Sequence, residues 1–303
     1  MKQVTKTLLI IISVVLIAFG SWYFISQSSK KADLSSDNYT ADEKLIAEVR
    51  ARVWQFDKSV QTQIAQGIEG SPDIITFIGG SFPMTKIVEK RTDKIKPTKF
   101  DAAERANNKA LIQKLISTYG NLVKQASQRF SIPELYIYVV MAVENTEGKV
   151  NYVSPGGYVG LMQIDTSSAA DTLTTQKKRK LLTVSDLQFF QKRFGTSVFS
   201  ASNQVTNTAL KDAETNINAG ALHLSEMIVD NHFDLVKDIH KIFFSYNRGK
   251  NRLDNDGTKN LGIDALINRY LGTVHTVGAE YVIRALGPNG AADILANDLG
   301  ILS

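Results

Sequence analysis

Glu144 ends a run, Leu135 to Val143, in which every residue is apolar or aromatic. A carboxyl group at the end of such a segment is drawn out of water. That disfavours its ionised form and raises its pKa. A carboxylic acid still protonated near neutral pH is a general acid. A glycine-rich segment follows, Ser154-Pro-Gly-Gly-Tyr-Val-Gly-Leu-Met-Gln163. Glycines let a backbone approach a ligand closely. Gln163 adds an amide beside apolar Leu161 and Met162, a mixture that suits a sugar, with its apolar face and hydroxyl edges. Metal chemistry is not indicated. His223, His232, His240 and His275 do not form a metal-ligand spacing. Asp254-Asn-Asp-Gly257 fails as a calcium loop, because the first ligand position would be Arg252 and the last Ile263. It reads as a turn, and no cofactor is expected.

Helical elements must position these residues. Ser131-Ile-Pro-Glu134 has the form of a capping box with proline inside the first turn, opening the helix that carries Glu144. That helix has no polar face, so it should be buried on all sides. Before it, Asp101 with Glu104 starts a helix whose apolar stripe is Leu111, Leu115, Tyr119, Leu122 and Ala126. Leu210, Ile217, Ala221, Leu224 and Ile228 mark a later helix, and 239–246 and 265–271 read as helical too. Lys178-Arg179-Lys180 reads as a solvated face.

The chain divides into three parts: 1–31, a membrane anchor or signal segment; 32–100, a tether and N-terminal extension; and 101–303, a mainly α domain. Leu8 to Ile25 carries no charge and is long enough to span a bilayer. Ala18-Phe19-Gly20 is a small-x-small site, so a cleaved leader competes. The apolar run continues through Trp22 to Ile25, which favours an uncleaved anchor. Either reading exports the rest of the chain. A helix is expected over 41–68, and 73–80 is strand-like or an apolar loop. The net charge of +5 includes Lys2, Lys6, Lys30 and Lys31; without them 31 basic residues face 30 acidic ones, so nucleic acid is not an indicated partner. There is no cysteine, which excludes disulfides, thiolate metal sites and a cysteine nucleophile.

Four segments occur in order: Ile132 to Glu144, Ser154 to Ile164, Asn216-Ile-Asn-Ala-Gly220 with Leu224, and Tyr246-Asn-Arg-Gly249. Together they resemble the catalytic domain of soluble lytic transglycosylases, relatives of goose-type lysozyme, over roughly 125–285. Gly-Leu-Met-Gln is the most specific part, and Tyr281-Val282 resembles the family's last helix. The resemblance implies a mainly α, lysozyme-like fold in the cell envelope, acting on peptidoglycan glycan strands. Glu144 would be the sole catalytic acid and base. Ser154, Met162 and Gln163 would contact the sugars. Tyr246 would sit across the cleft from Glu144, with Asn247 shaping its turn, and Asn216 and Gly220 would be packing residues.

The family pattern is broken in four places. Asn145 stands where serine is usual, the Glu144–Ser154 spacing is about one residue longer, Asp165 stands where methionine is usual, and Ala213 replaces a common proline. The implied reaction cleaves the bond between N-acetylmuramic acid and N-acetylglucosamine and leaves a 1,6-anhydro end. A second carboxylate, Asp165 or Glu147, would instead activate water and make a muramidase. Glu147 reads better as a solvated turn acid and Asp165 as a helix N-cap. A third reading is a non-catalytic peptidoglycan-binding scaffold of an envelope complex.

Overall fold

A computed structural model describes residues 100–199, 204–235, 238–287 and 289–299. The expected membrane segment at 8–25, the helix at 41–68 and the strand-like 73–80 lie outside the described residues. Along the described chain the helices are α1 Arg105–Phe130, α2 Glu134–Glu144, α3 Thr166–Lys178, α4 Val184–Phe194, α5 Asn207–Leu210, α6 Ala213–Asn231, α7 Ile239–Arg248, α8 Arg252–Asn255, α9 Ile263–Tyr270, α10 Thr276–Leu286 and α11 Ala291–Asp293, with a π-helical turn Ile294–Asp298. Among the described residues there is no strand, only isolated antiparallel bridges pairing Val159 with Val153 and with Ile164. No described helix is long and apolar enough to cross a membrane.

A helix without a polar face must be covered all round, and α2 is. It packs against α1, α6, α10 and α11, and each side chain from Leu135 to Val143 is at most 3 % exposed. Burial of each larger apolar side chain contributes about 1.5–3 kcal/mol, so this helix is the centre of the fold. Its start differs from expectation. Ser131 does not cap α2. It adopts a left-handed conformation, φ 55°, that terminates α1, and Pro133 takes the N-cap position with φ −54° and no side-chain cap bond. Only Ile132 separates Ser131 from Pro133, so the serine ends one helix and cannot also begin the next.

The buried stripe of α1 is also rotated from the expected one. Ile112, Leu115, Val123, Ala126 and Phe130 face inward, whereas Leu111, Tyr119 and Leu122 flank them half-buried. Apolar residues at neighbouring positions leave that choice to the partner helices. In α6, Asp212 caps the helix through the Thr215 backbone N–H at 2.9 Å and its hydroxyl at 2.6 Å. Ala213 therefore occupies the first helical position, where proline is favoured but not required. The expected turn at 254–257 is the short α8 followed by Gly257 at φ 65°. The capping box of α4, Thr183 with Asp186, was not read from the sequence. Arg105 ties the two ends of the described chain, bonding Asp293 and Asp298 at 2.6 Å each and Asn289 at 3.0 Å.

Candidate active site

Glu144 is the last residue of α2, and its carboxyl opens from the core into a cleft of about 1000 Å³. Gln163, Asp165, His223, Tyr246 and Asn247 line the same cleft. Burial pushes the Glu144 carboxyl up to about 7, against smaller opposite pulls from Tyr281 and Arg284. Its place at a helix C-terminus acts in the same direction as burial, because the negative end of the helix dipole disfavours a carboxylate. Tyr281, on α10, is buried beside it. Its hydroxyl makes no bond of standard geometry, and the Glu144 carboxyl is the acceptor it faces.

The Gly-Leu-Met-Gln turn is held against α6 by Asn216. The Met162 N–H donates to Asn216 Oδ1 at 2.8 Å, and Asn216 Nδ2 donates to the carbonyls of Val159 at 2.9 Å and Leu210 at 3.0 Å. Gly160 has φ 77°, and a Cβ there would lie 2.4 Å from Asn216 Nδ2. A Cβ on Gly220 would lie 2.5 Å from the Met162 Cβ. Asn216 and Gly220 are thus packing residues, as the resemblance implied. Met162 corrects an expectation. Its side chain is fully buried over Gly220 and does not line the cleft. Its carbonyl instead accepts the Tyr246 hydroxyl at 2.8 Å.

Gln163 does line the cleft, held at φ 44° with Nε2 donating to the Gly160 carbonyl at 2.8 Å. Ser154 lines it too, with Oγ accepting from the Tyr158 N–H at 3.1 Å. Tyr246 is buried, and burial together with the negative charges of Glu144 and Asp165 keeps its phenol protonated. Asn247 shapes no turn. Both residues lie in the last turn of α7, and Gly249 ends the helix. Asn247 Oδ1 is buried without a partner.

Asn145, one of the departures from the family pattern, is 1 % exposed and does not line the cleft. Its Nδ2 donates to the carbonyls of Lys149 at 2.7 Å and Gly160 at 2.9 Å, and its Oδ1 accepts from the Glu147 and Lys149 N–H groups at 3.3 Å. Asn145 therefore fastens the end of α2 to the glycine-rich turn, so that Glu144 and Gln163 share one rigid support. Asp165 is the N-cap of α3, as the sequence suggested. Burial raises its carboxyl, but four hydrogen bonds from Ser167 and Ser168 outweigh that and hold it below the usual carboxylate range. Glu147 is exposed and pairs with Lys149 at 2.7 Å.

The sequence reading missed a polar cluster on the cleft wall. Glu226 of α6 is 3 % exposed and accepts from the Thr172 hydroxyl at 2.5 Å and from Lys250 Nζ at 2.7 Å. Burial raises its carboxyl, but His223, Lys250 and Thr172 overcome that and bring it down to about 2. Lys250 also bonds Asp230, which pairs with Arg179. Tyr152 and Tyr158 were missed as well. They flank the glycine-rich turn and give the cleft aromatic walls. Among the described residues no cluster of three metal-ligating side chains occurs.

The described chain is a mainly helical domain with a raised acid, Glu144, in a polar cleft. Residues 121–264 match the family model described as Transglycosylase SLT domain, a lysozyme-like family, so this stretch of the chain is similar to that family. A comparison with curated proteins returns no match. The domain implies a peptidoglycan-acting function in a cell-wall-acting, envelope-associated protein. The match ends before α10, so Tyr281, which faces Glu144, lies outside it.

Proposed function

We propose that the chain is a peptidoglycan lytic transglycosylase whose catalytic domain spans 101–303 and whose acid and base are both Glu144. Protonated Glu144 donates to the oxygen bridging N-acetylmuramic acid and N-acetylglucosamine, and the C1–O bond breaks. The N-acetyl oxygen of the muramic acid supports the cationic sugar. The Glu144 carboxylate then takes the proton from the 6-hydroxyl as O6 bonds to C1, closing the 1,6-anhydro ring. No water is consumed, and Glu144 ends as it began. Ser154, Gln163, Tyr246 and Asn247 bind or orient the strand around this step, and Met162 serves through its backbone.

The observation that carries this reading is a single cleft carboxyl raised to about 7. Three other acids near the site are committed elsewhere. Asp165 is committed to capping, Glu147 to solvent and Lys149, and Glu226 to Thr172 and Lys250. The test is digestion of purified sacculi with mass spectrometry of the products. Anhydro ends are expected. Reducing ends would make the protein a muramidase, and unchanged biological activity in Glu144→Gln would favour the scaffold reading. Leu8 to Ile25 would tether the domain to the membrane. The mass of the mature N-terminus checks that part.

A further inference from the structure

The cleft contains a histidine oriented by a buried carboxylate, at some remove from the reacting acid. Asn216, Gly220, His223 and Met227 share one face of α6, at spacings of three and four residues. The first two support the Gly-Leu-Met-Gln turn. The next turn of the helix brings His223 and Met227 to the cleft. His223 Nδ1 lies 2.8 Å from Thr172 Oγ1 and 3.5 Å from Glu226 Oε2. The single hydroxyl proton of Thr172 goes to Glu226. Thr172 Oγ1 can then only accept from His223, which fixes the proton on Nδ1. Among the described residues no group engages Nε2, which is left to the cleft. The imidazole ring also stands edge-on to the Tyr246 ring, with centroids 5.5 Å apart, and Tyr246 is close enough to feel the charge of Glu144.

A solvated surface histidine needs none of this support. Holding an ionised carboxylate out of water is costly unless it is fully bonded, and Glu226 is bonded on both oxygens. We propose that His223 is a glycan-contacting residue whose Nε2, aimed by Thr172 and Glu226, accepts a hydrogen bond from a hydroxyl of the sugar neighbouring the cleavage point. The proposal rests on the glycan-cleaving reading of the site. Thr172 and Glu226 act through His223 as positioning residues.

The test measures binding of a GlcNAc–MurNAc tetrasaccharide to the full chain carrying Glu144→Gln, by calorimetry. Adding His223→Ala should weaken binding roughly 5- to 10-fold, the size of one neutral hydrogen bond. His223→Gln should recover part of the loss. Thr172→Val, which leaves the Glu226–Lys250 pair in place, should weaken binding in the same direction by a smaller factor. Affinity unchanged within 2-fold in His223→Ala overturns the proposal. If that variant does not fold, unchanged affinity in Thr172→Val overturns it instead. Product analysis keeps the two readings apart. Binding that depends on His223 without any strand cleavage by the wild-type chain sinks the proposed reaction but not this contact, and cleavage with no His223 dependence does the reverse.

Discussion

Glu144 and Glu226 line one cleft, and both are withdrawn from bulk water, yet burial leaves the first protonated near neutral pH and the second ionised. Desolvation pushes both upward. What separates them is the number of donors each carboxylate finds. Glu226 has a hydroxyl at 2.5 Å, an ammonium at 2.7 Å and an imidazole at 3.5 Å. Glu144 has the phenol of Tyr281 at the margin of bonding geometry and the more distant charge of Arg284. A buried acid is thus either a proton donor or a fixed anion according to its neighbours. On the proposed reading one site uses both, the first for chemistry and the second for holding a side chain in place.

The largest expected effect is on the reacting acid. Glu144→Gln should reduce sacculus cleavage by about 1000-fold, within the usual contribution of a general acid. Residual activity near wild type would end the functional contrast between the two glutamates. The pH profile of cleavage should fall as pH rises through about 7, where the raised acid loses its proton.

Stability sharpens the comparison through opposite signs. The Glu144 carboxyl is raised above the unfolded value, so its contribution is complete below about 4.5 and is lost as pH rises through about 7. Glu144→Gln should therefore be more stable than wild type at pH 8, by up to about 3 kcal/mol, and equal to it at pH 4. Glu226 is depressed, so its contribution is present above about 4.5 and is lost as pH falls towards about 2. Glu226→Gln should lose up to about 3 kcal/mol at pH 7, with the deficit shrinking in acid. Thermal melts of both variants across pH 3–8 check this. A shift of the same sign in both at pH 8 would break the comparison.

Asn145→Ala tests the support beneath the acid. It removes two donations and leaves the Lys149 carbonyl without its side-chain partner, at a cost of about 2 kcal/mol. Cleavage should fall more than strand binding, because the mutation loosens Glu144 against the Gln163 turn, and kcat and KM measured separately would show this. The smallest effect is expected at Ser131→Gly. A glycine at φ 55° relieves a conformation L side chains disfavour, so stability should rise by roughly 0.5–1 kcal/mol in denaturant unfolding.

Much of the molecule was legible because the relevant signals are local. The unbroken apolar run from Leu135 to Val143 announced a helix buried on every side, and it is. Asp165 ahead of Ser167 and Ala169 announced a cap, and the cap forms, with the helix starting at Thr166. Other features depended on neighbours distant in sequence. Leu115 and Ala126 of α1 face inward as expected, but Leu111, Tyr119 and Leu122 lie at the flank because apolar residues border both candidate stripes. Ser131 matched a capping box but had already been taken by the end of α1. Met162, expected at the sugar, turned inward because Gly220 leaves a space that only its side chain fills.

The sequence by itself determined the acid, the greasy helix that raises it and the glycine-rich turn, because each is written within a few consecutive residues whose period or composition has one physical solution. Only the tertiary structure decided that Asn145 braces the end of α2 rather than lining the cleft, and that Thr172, His223, Glu226 and Lys250 form one cluster. Those residues come from α3, α6 and the segment after α7, and hydrogen bonds between them exist only once the helices have packed.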